Sequence, residues 1–165
     1  MATLTTGEGW SLTTTETELT EGKHYWEVEL LSEDVNNIMN NIMIGGVNNI
    51  MIGISRPNLD PTKEYYNSGC TDGWFTNAYE GGLWGNGKIR EDTAGGYKQG
   101  DRVGVLLDLD NGSLRFFKNG VQHGPGFPAG SVTGPVVAAV QMCKNVPTFD
   151  KSVRLLPNVE APANA

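Results

Sequence analysis

The sequence is short of cysteine, alanine and basic residues, and each shortage argues against a class of protein. Two cysteines in 165 residues are too few for a disulfide-stapled scaffold. Nine alanines argue against a helical bundle, because alanine is the strongest helix former. With 12 Lys+Arg against 19 Asp+Glu, the net charge of −7 gives no basic footprint for nucleic acid or an anionic membrane. Apolar runs such as Val136–Val140 reach only about five residues, whereas a transmembrane helix needs about 20.

Glycine, in contrast, is abundant, and alternating segments lie between the glycine-rich turns. The 22 glycines in 165 residues are about twice the usual share of about 7%. In KHYWEVEL, residues 23–30, every second residue from Trp26 is apolar. In NIMIGIS, residues 49–55, the same alternation starts at Ile50. A period of two predicts strands with one apolar face.

The clearest hairpin signal is DRVGVLLDLDNGSLRFFKNG, residues 101–120. Alternate residues from Val103 to Leu109 are apolar, and Asn111–Gly112 supplies the strongest short hairpin turn. Further strands are expected at 136–142 and 152–156, and no segment has a helical period. Short strands at this spacing predict an all-β sandwich.

One tetrapeptide, Asn-Asn-Ile-Met, occurs three times, at residues 36–39, 40–43 and 48–51. The spacings between copies are all even, so a slip between them keeps each side chain on its original face. We therefore predict that residues 35–47 form an inserted, protruding hairpin or loop with weakly fixed register. The alternative is a local tandem duplication that has no function.

Several segments together resemble a SPRY domain. They occur in the family's order and extend over about residues 7–157. In chain order they are GKHYWEVE (22–29), IGIS (52–55), GWF (73–75) with GNGK (85–88), GDRVGVLLD (100–108) with GSLRFFKNG (112–120), and GPVVAAV (134–140).

The length predicts a single domain over 1–165, with frayed tails expected at 1–6 and 158–165. The fold that the resemblance implies is a bent sandwich of two antiparallel sheets, as in concanavalin-like proteins. The resemblance also implies a protein-interaction module with no catalytic residues, whose loops at one end bind a short peptide. Residues 32–47 stand where the family usually has a short turn, and 146–150 also lengthen a connection. Both would shift neighbouring binding loops.

By position in the family pattern, seven residues form the expected peptide-binding surface: Arg56, Pro57, Tyr65, Tyr66, Val140, Gln141 and Met142. Arg56 either contacts an acidic or carbonyl-rich ligand or is a solvated surface residue. Of Tyr65 and Tyr66, one is expected to face solvent as an interface anchor, or both are structural. Some peptide-binding members carry Trp-Gly where Gln141-Met142 stand here, which puts that subfamily's specificity in question.

Other chemistries fit the sequence less well. The segment 82–89 matches G-x-x-x-x-G-K but lacks the Ser or Thr of a phosphate loop. Asp108 begins a calcium-loop pattern that then lacks its Gly and Glu. Glu27 and Glu29 share a strand face about 7 Å apart. That is within glycosidase reach, yet a solvent-facing pair explains them more simply.

The two cysteines and two histidines show no zinc-ligand spacing. Cys70 and Cys143 are expected to be free thiols rather than a disulfide. We therefore expect no metal and no cofactor.

The sequence as a whole predicts a non-catalytic protein–protein interaction domain that binds an extended peptide. It is expected to be a monomer in the cytoplasm, the nucleus not excluded, with no nucleic-acid or membrane partner. The start of the chain lacks the basic and apolar regions of a signal peptide. The alternative is a lectin-like sugar binder, in which Asp72, Trp74, Asn77 and Tyr79 surround the sugar, often with calcium.

Overall fold

The computed structural model describes residues 2–5, 9–32, 34–37, 42–45, 47, 49–67, 69–144, 152–163 and 165. Among these residues, no helix is long and apolar enough to span a membrane. The strands, in chain order, are β1 (Ala2–Thr5), β2 (Gly9–Thr14), β3 (Lys23–Leu30), β4 (Asp34–Asn37), β5 (Ile42–Gly45), β6 (Ile50–Ser55), β7 (Gly73–Asn77), β8 (Leu83–Gly85), β9 (Lys88–Glu91), β10 (Arg102–Asp108), β11 (Ser113–Lys118), β12 (Val121–Gln122), β13 (Val137–Lys144) and β14 (Ser152–Leu156).

Two antiparallel sheets carry most of these strands. Sheet A has the order β1-β14-β3-β10-β11-β12, and sheet B has the order β2-β13-β6-β7-β8-β9. Strands β4 and β5 form a separate two-stranded sheet. The predicted all-β sandwich of two antiparallel sheets is confirmed.

The alternation in the sequence sets which side chains fill the space between the sheets. In β3, Trp26, Val28 and Leu30 are buried while their neighbours are at least partly exposed. The register with β10 places Trp26 opposite Val105 and Val28 opposite Val103. All five lie in one apolar cluster between the sheets. Burying each such side chain contributes about 1.5–3 kcal/mol, so this face holds the sandwich together.

Strand β6 departs from the one-sided pattern that its alternation predicts, because all six of its residues are buried. Ile50, Ile52 and Ile54 belong to the cluster between the sheets. Met51 points the other way, into a second cluster covered by the connection 56–72. That second cluster consists of Leu12, Met51, Tyr65, Phe75 and Ala139, with Leu59, Tyr66, Cys70 and Trp84 packed at its border.

The predicted turn between β10 and β11 is present. The Asp108 carboxylate accepts hydrogen bonds from the backbone N–H groups of Asp110 and Asn111, at 3.0 and 3.2 Å. Gly112 has a φ of 79°, a conformation that glycine adopts without strain. The Asp108 carboxylate oxygen is therefore used by the turn, which explains the calcium-like spacing.

One end of the sandwich, called the loop end below, carries the connections 56–72, 109–112 and 128–136. The carbonyl oxygen of Gly112 accepts hydrogen bonds from the backbone N–H groups of Ser131 and Val132, at 3.0 and 2.9 Å. These bonds join a turn of sheet A to the connection that leads into β13 of sheet B.

The opposite end, called the insertion end below, is where β3 finishes and β6 starts. Leu30 N–H donates to the carbonyl of Asp101, at 3.0 Å. Ala78 N–H donates to the carbonyl of Ile50, at 2.9 Å. The repeat-bearing connection therefore leaves from and returns to the end opposite the loop end.

Within that connection, β4 and β5 pair over the segment for which the sequence predicts a hairpin or loop. Val35 lies opposite Ile44, and Asn37 opposite Ile42. Residues 38–41 lie outside the described part of the chain. Val47 is the last residue of the predicted insertion, and its side chain is buried in the cluster between the sheets.

The register of β6 depends on residues that the repeat does not reproduce. An eight-residue slip would bring Ile42–Gly45 into the place of the identical Ile-Met-Ile-Gly of β6, but it would put Gly46 at the buried site of Ile54. Losing a buried Ile side chain costs about 2–5 kcal/mol. A twelve-residue slip would put Asn41 at Gly53, where a Cβ atom would overlap the backbone of Trp74. Ile54 and Gly53 therefore select one register.

We expect the variant Ile54→Ala to show a minor second set of β6 amide resonances in a 15N–1H correlation spectrum. The substitution removes most of the free-energy difference between the two registers. In the variant, a slip of eight residues replaces only Ala by Gly at the buried site of residue 54. The wild type should give a single set. Val105→Ala, an equally buried truncation on β10, should destabilise the protein without doubling. A single set from Ile54→Ala would contradict the explanation.

Tyr97 carries a buried hydroxyl at the insertion end. Among the described residues, that hydroxyl has no hydrogen-bond partner. Burial, with a smaller contribution from the charge of Asp101, raises the pKa of Tyr97. Lys118 places its ammonium 5.8 Å from the centre of the ring. The ring is thus well packed, while the hydroxyl is a cost to folding.

We expect Tyr97→Phe to stabilise the protein by about 1 kcal/mol, because an unsatisfied buried polar group is removed. The raised folded-state pKa means that the unfolded chain loses this proton first as pH rises. Ionisation of Tyr97 therefore leaves the free energy of unfolding unchanged below a pH of about 10. Above that pH the free energy of unfolding falls as the pH rises toward the folded-state pKa. Urea unfolding at pH 8 and 10.5 should show a smaller alkaline loss in the variant.

Tyr79→Phe is the control, because Tyr79 is 62% exposed. It should leave both the stability and its pH dependence close to those of the wild type. A Tyr97→Phe protein less stable than the wild type at pH 8 would refute this interpretation.

Candidate functional site

Gln141 fastens the long connection 56–72 to sheet B. It lies on β13, with its side chain pointing away from the space between the sheets, and it is fully buried. Its Oε1 accepts a hydrogen bond from Tyr65 N–H at 2.8 Å. Its Nε2 donates to the carbonyl of Lys63 at 2.5 Å. One carboxamide therefore pairs with the connection as a neighbouring strand would.

The same connection covers the second apolar cluster. Tyr65 is buried there, and burial raises the pKa of its hydroxyl. Tyr66 is half-buried and meets Trp84 edge to face, with 5.7 Å between ring centres. Cys70 is a free, half-buried thiol, and burial raises its pKa. A raised pKa keeps this thiol protonated and unreactive at neutral pH.

Arg56 ties two connections of the loop end together. Its guanidinium donates to the carbonyl oxygens of Thr133 and Pro135, and to the Thr133 hydroxyl at 2.9 Å. It also lies 5.0 Å from the ring centre of Trp74. Trp74 Nε1 donates in turn to the carbonyl of Ser131, at 3.0 Å. The donors that were expected for a ligand are used within the chain.

The seven sequence-derived residues thus have different positions. Tyr65 and Gln141 are brought together by a hydrogen bond. Val140 and Met142 belong to the cluster between the sheets and are buried. Their part in peptide binding stays a prediction.

Pro57 is the member of the set that lines an open groove. This groove, called the β2 groove below, has a volume of about 360 Å³ and runs between β2 and the start of the connection 56–72. Residues on its two walls include Thr14, Glu16 and Glu18 on one side and Pro57, Leu59 and Pro61 on the other. Sequence reasoning misses the β2 side, because no local pattern shows which strand ends up at a sheet edge.

A second cavity, of about 310 Å³, lies between the sheets beside β2 and β14. Its walls are mainly apolar and include Trp26, Val28, Val140, Val153 and Leu155. The sequence predicts these side chains as core, and the space left between them depends on how far apart the two sheets lie at that edge.

The residues of the lectin-like alternative do not converge. Asp72 precedes β7 and Asn77 ends it, so their Cα atoms are separated by about 17 Å at 3.4 Å per residue. Trp74 is buried, and the Asn77 side-chain oxygen accepts from Tyr79 N–H at 2.7 Å. These four residues therefore cannot surround one sugar or one ion.

The carboxylates Glu27 and Glu29 are engaged by cations. Glu27 lies 3.5 Å from Arg102, and Glu29 lies 3.3 Å from Arg154. Glu27 also accepts a hydrogen bond from the Tyr25 hydroxyl at 2.8 Å. In the part of the chain that the structure describes, no three His, Cys, Asp or Glu side chains are grouped to hold a metal ion.

We expect Gln141→Ala to cost about 1–3 kcal/mol, because Tyr65 N–H and the Lys63 carbonyl both lose a buried partner. The effect should be local, with faster hydrogen exchange at the Tyr65 amide. Gln99→Ala is the matched control, since Gln99 bonds the Leu31 carbonyl at an exposed site and should cost under about 0.5 kcal/mol. Unchanged exchange at Tyr65 in Gln141→Ala would show that the carboxamide does not hold the connection.

Comparison with known proteins agrees with this geometry. A model of the SPRY domain matches residues 23–150. The crystal structure of the SPRY domain of human HERC1 is 22% identical, has a TM-score of 0.73, and covers 96% of this chain and 89% of its own. A second crystal structure, of a human SPRY domain, is 20% identical, with a TM-score of 0.65 and coverages of 94% and 89%. Because the family model matches most of the chain, the protein belongs to the SPRY domain family, a family of protein-interaction modules.

Proposed function

We propose that this domain binds an extended segment of a partner protein at the loop end, in the β2 groove, without catalysis. The observation that carries the proposal is the groove itself. Its volume of about 360 Å³ lies in the range of small-ligand pockets, and Pro57 is part of its wall.

The position of β2 favours an extended ligand. Among the described strands, β2 is at the edge of sheet B, so one side of its backbone has no neighbouring strand of that sheet. Leu12 N–H points to that side and donates to the Pro61 carbonyl at 2.8 Å. Outward-pointing groups recur at every second residue, so Thr14 is the next to face the groove. A peptide laid in the groove could continue the pairing from there.

The charge of the groove favours a basic ligand. Glu16 and Glu18 lie on its β2 side and are exposed, in a chain with a net charge of −7. Arg56, which the sequence suggested for an acidic ligand, makes its hydrogen bonds to the connection 128–136 instead. We therefore expect a Lys or Arg in the bound segment.

A fixed groove favours binding with little rearrangement. The Gln141 carboxamide and the Arg56 guanidinium hold both connections that lie beside the groove. A preformed site loses less conformational entropy on binding. The absence of catalysis is part of the proposal, and the engaged states of Glu27 and Glu29 support it.

A displayed library of random extended peptides tests the proposal. Peptides enriched on the wild type should carry Lys or Arg, and they should bind Glu16→Lys/Glu18→Lys at least about tenfold more weakly, since charge steering and rim contacts are reversed. The control is Glu91→Lys/Asp92→Lys, which makes the same charge change where β9 ends, at the opposite edge of sheet B. Binding should be unaffected by the control. Equal loss in both variants, or no loss in either, would reject the groove as the site.

A further inference from the structure

The inserted repeats have a composition unlike the rest of the chain. Residues 36–46, NNIMNNIMIGG, contain no charged residue and no proline, in a protein with 19 acidic and 12 basic residues. Uncharged, proline-free segments with repeated Asn and Ile are typical of strands that pair with copies of themselves. The fold does not need this segment to complete either six-stranded sheet.

The described part of the insertion has unused strand edges. β4 and β5 pair with each other and with no strand of sheet A or sheet B. A two-stranded ribbon alone is marginally stable in water, and its outer edges present unpaired N–H and C=O groups. Such a ribbon gains stability when a further strand pairs with it.

Strand β5 has a sequence that this protein already uses as an interior strand. Ile42–Gly45 is identical to the first four residues of β6. β6 is paired along both edges, with β7 and with β13. The same four residues in β5 are paired along the edge that faces β4.

Among the residues that the structure describes, no strand of sheet A or sheet B pairs with the outer edge of β5. The positions on either side of β6 are filled by β7 and β13, and β5 cannot replace β6 without leaving the site of Ile54 empty. A second copy of the chain, in contrast, offers an identical, uncharged strand. Two such edges can pair antiparallel about a twofold axis, which is the usual symmetry of homodimers.

We propose that β4 and β5 form a self-association surface, whose partner is the same pair of strands in a second copy of this chain. The surface lies at the insertion end, so pairing leaves the β2 groove at the loop end open in both copies. The insertion thereby gives a protein that is otherwise expected to be a monomer a route to a paired state with two grooves. Two linked grooves would bind a partner with repeated segments more tightly than one.

Charge makes this association depend on salt. Each copy carries −7, whereas β5 is uncharged and β4 has Asp34 as its one charged residue, so the copies repel at a distance. Salt at 0.1 M or above screens charges beyond about 10 Å. Association should therefore strengthen as salt is raised, opposite to an interface that ion pairs hold together.

Deletion of residues 36–47 is the sharpest test. It removes 12 uncharged residues, leaves the net charge at −7, and joins Val35 to Asn48. The sequence before β6 then still reads Val-Asn-Asn-Ile-Met, and Val35 takes the place of the buried Val47. Sedimentation velocity over a range of protein concentrations, at low and high salt, should show association of the wild type and a monomer for the deletion. Equal melting temperatures would show that the deletion has folded.

A second variant keeps the length of the chain. Ile42→Lys/Ile44→Lys places charges on β5, a device that natural edge strands use against pairing. The two lysines change the net charge from −7 to −5, which reduces the general repulsion between copies. Association should nevertheless weaken by about tenfold or more, since paired residues each contribute a few tenths of a kcal/mol or more. A wild type that stays monomeric at high salt, or a deletion that associates equally, would overturn the proposal.

Discussion

Strand β6 and its neighbour β13 are covered on both faces, and the architecture depends on that double coverage. One face of β6 packs Ile50, Ile52 and Ile54 against sheet A. The other face contacts the connection 56–72 through Met51. An antiparallel sheet commonly leaves one face in water. The connection 56–72 that covers the outer face of sheet B must therefore be held there by contacts of its own. Here apolar side chains and one buried carboxamide supply these contacts together.

Two polar side chains of the expected peptide-binding set, Gln141 and Arg56, hold the loop end in shape. A buried Gln without partners would cost several kcal/mol, and Gln141 avoids this by bonding Tyr65 and Lys63. The Arg56 guanidinium similarly donates hydrogen bonds to the carbonyl oxygens of Thr133 and Pro135. Their effect on a ligand is therefore indirect. They hold the walls near the β2 groove in position before any ligand arrives.

The sandwich also separates two kinds of surface. Strands that cross the whole sheet put the connection 56–72 at one end and the repeat-bearing connection at the other. The insertion connects β3 of sheet A to β6 of sheet B at the end opposite the groove. Gly53, pressed against the backbone of Trp74, and Ile54, buried between the sheets, hold β6 in its register.

Much of the fold was readable from local patterns. The alternation in β3 and β10, the Asn111–Gly112 turn and the ordered family motifs predict the antiparallel sandwich, because strand period and turn chemistry are properties of neighbouring residues. The β2 groove, the double burial of β6 and the internal bonds of Arg56 were not readable. Each depends on contacts between segments that are distant in sequence, as Leu12 meets Pro61 beside the groove and Arg56 meets Thr133 at a separation of 77 residues. Local patterns in the sequence specify which faces must be buried. The segments that cover those faces are set by packing between parts of the chain that are distant in sequence.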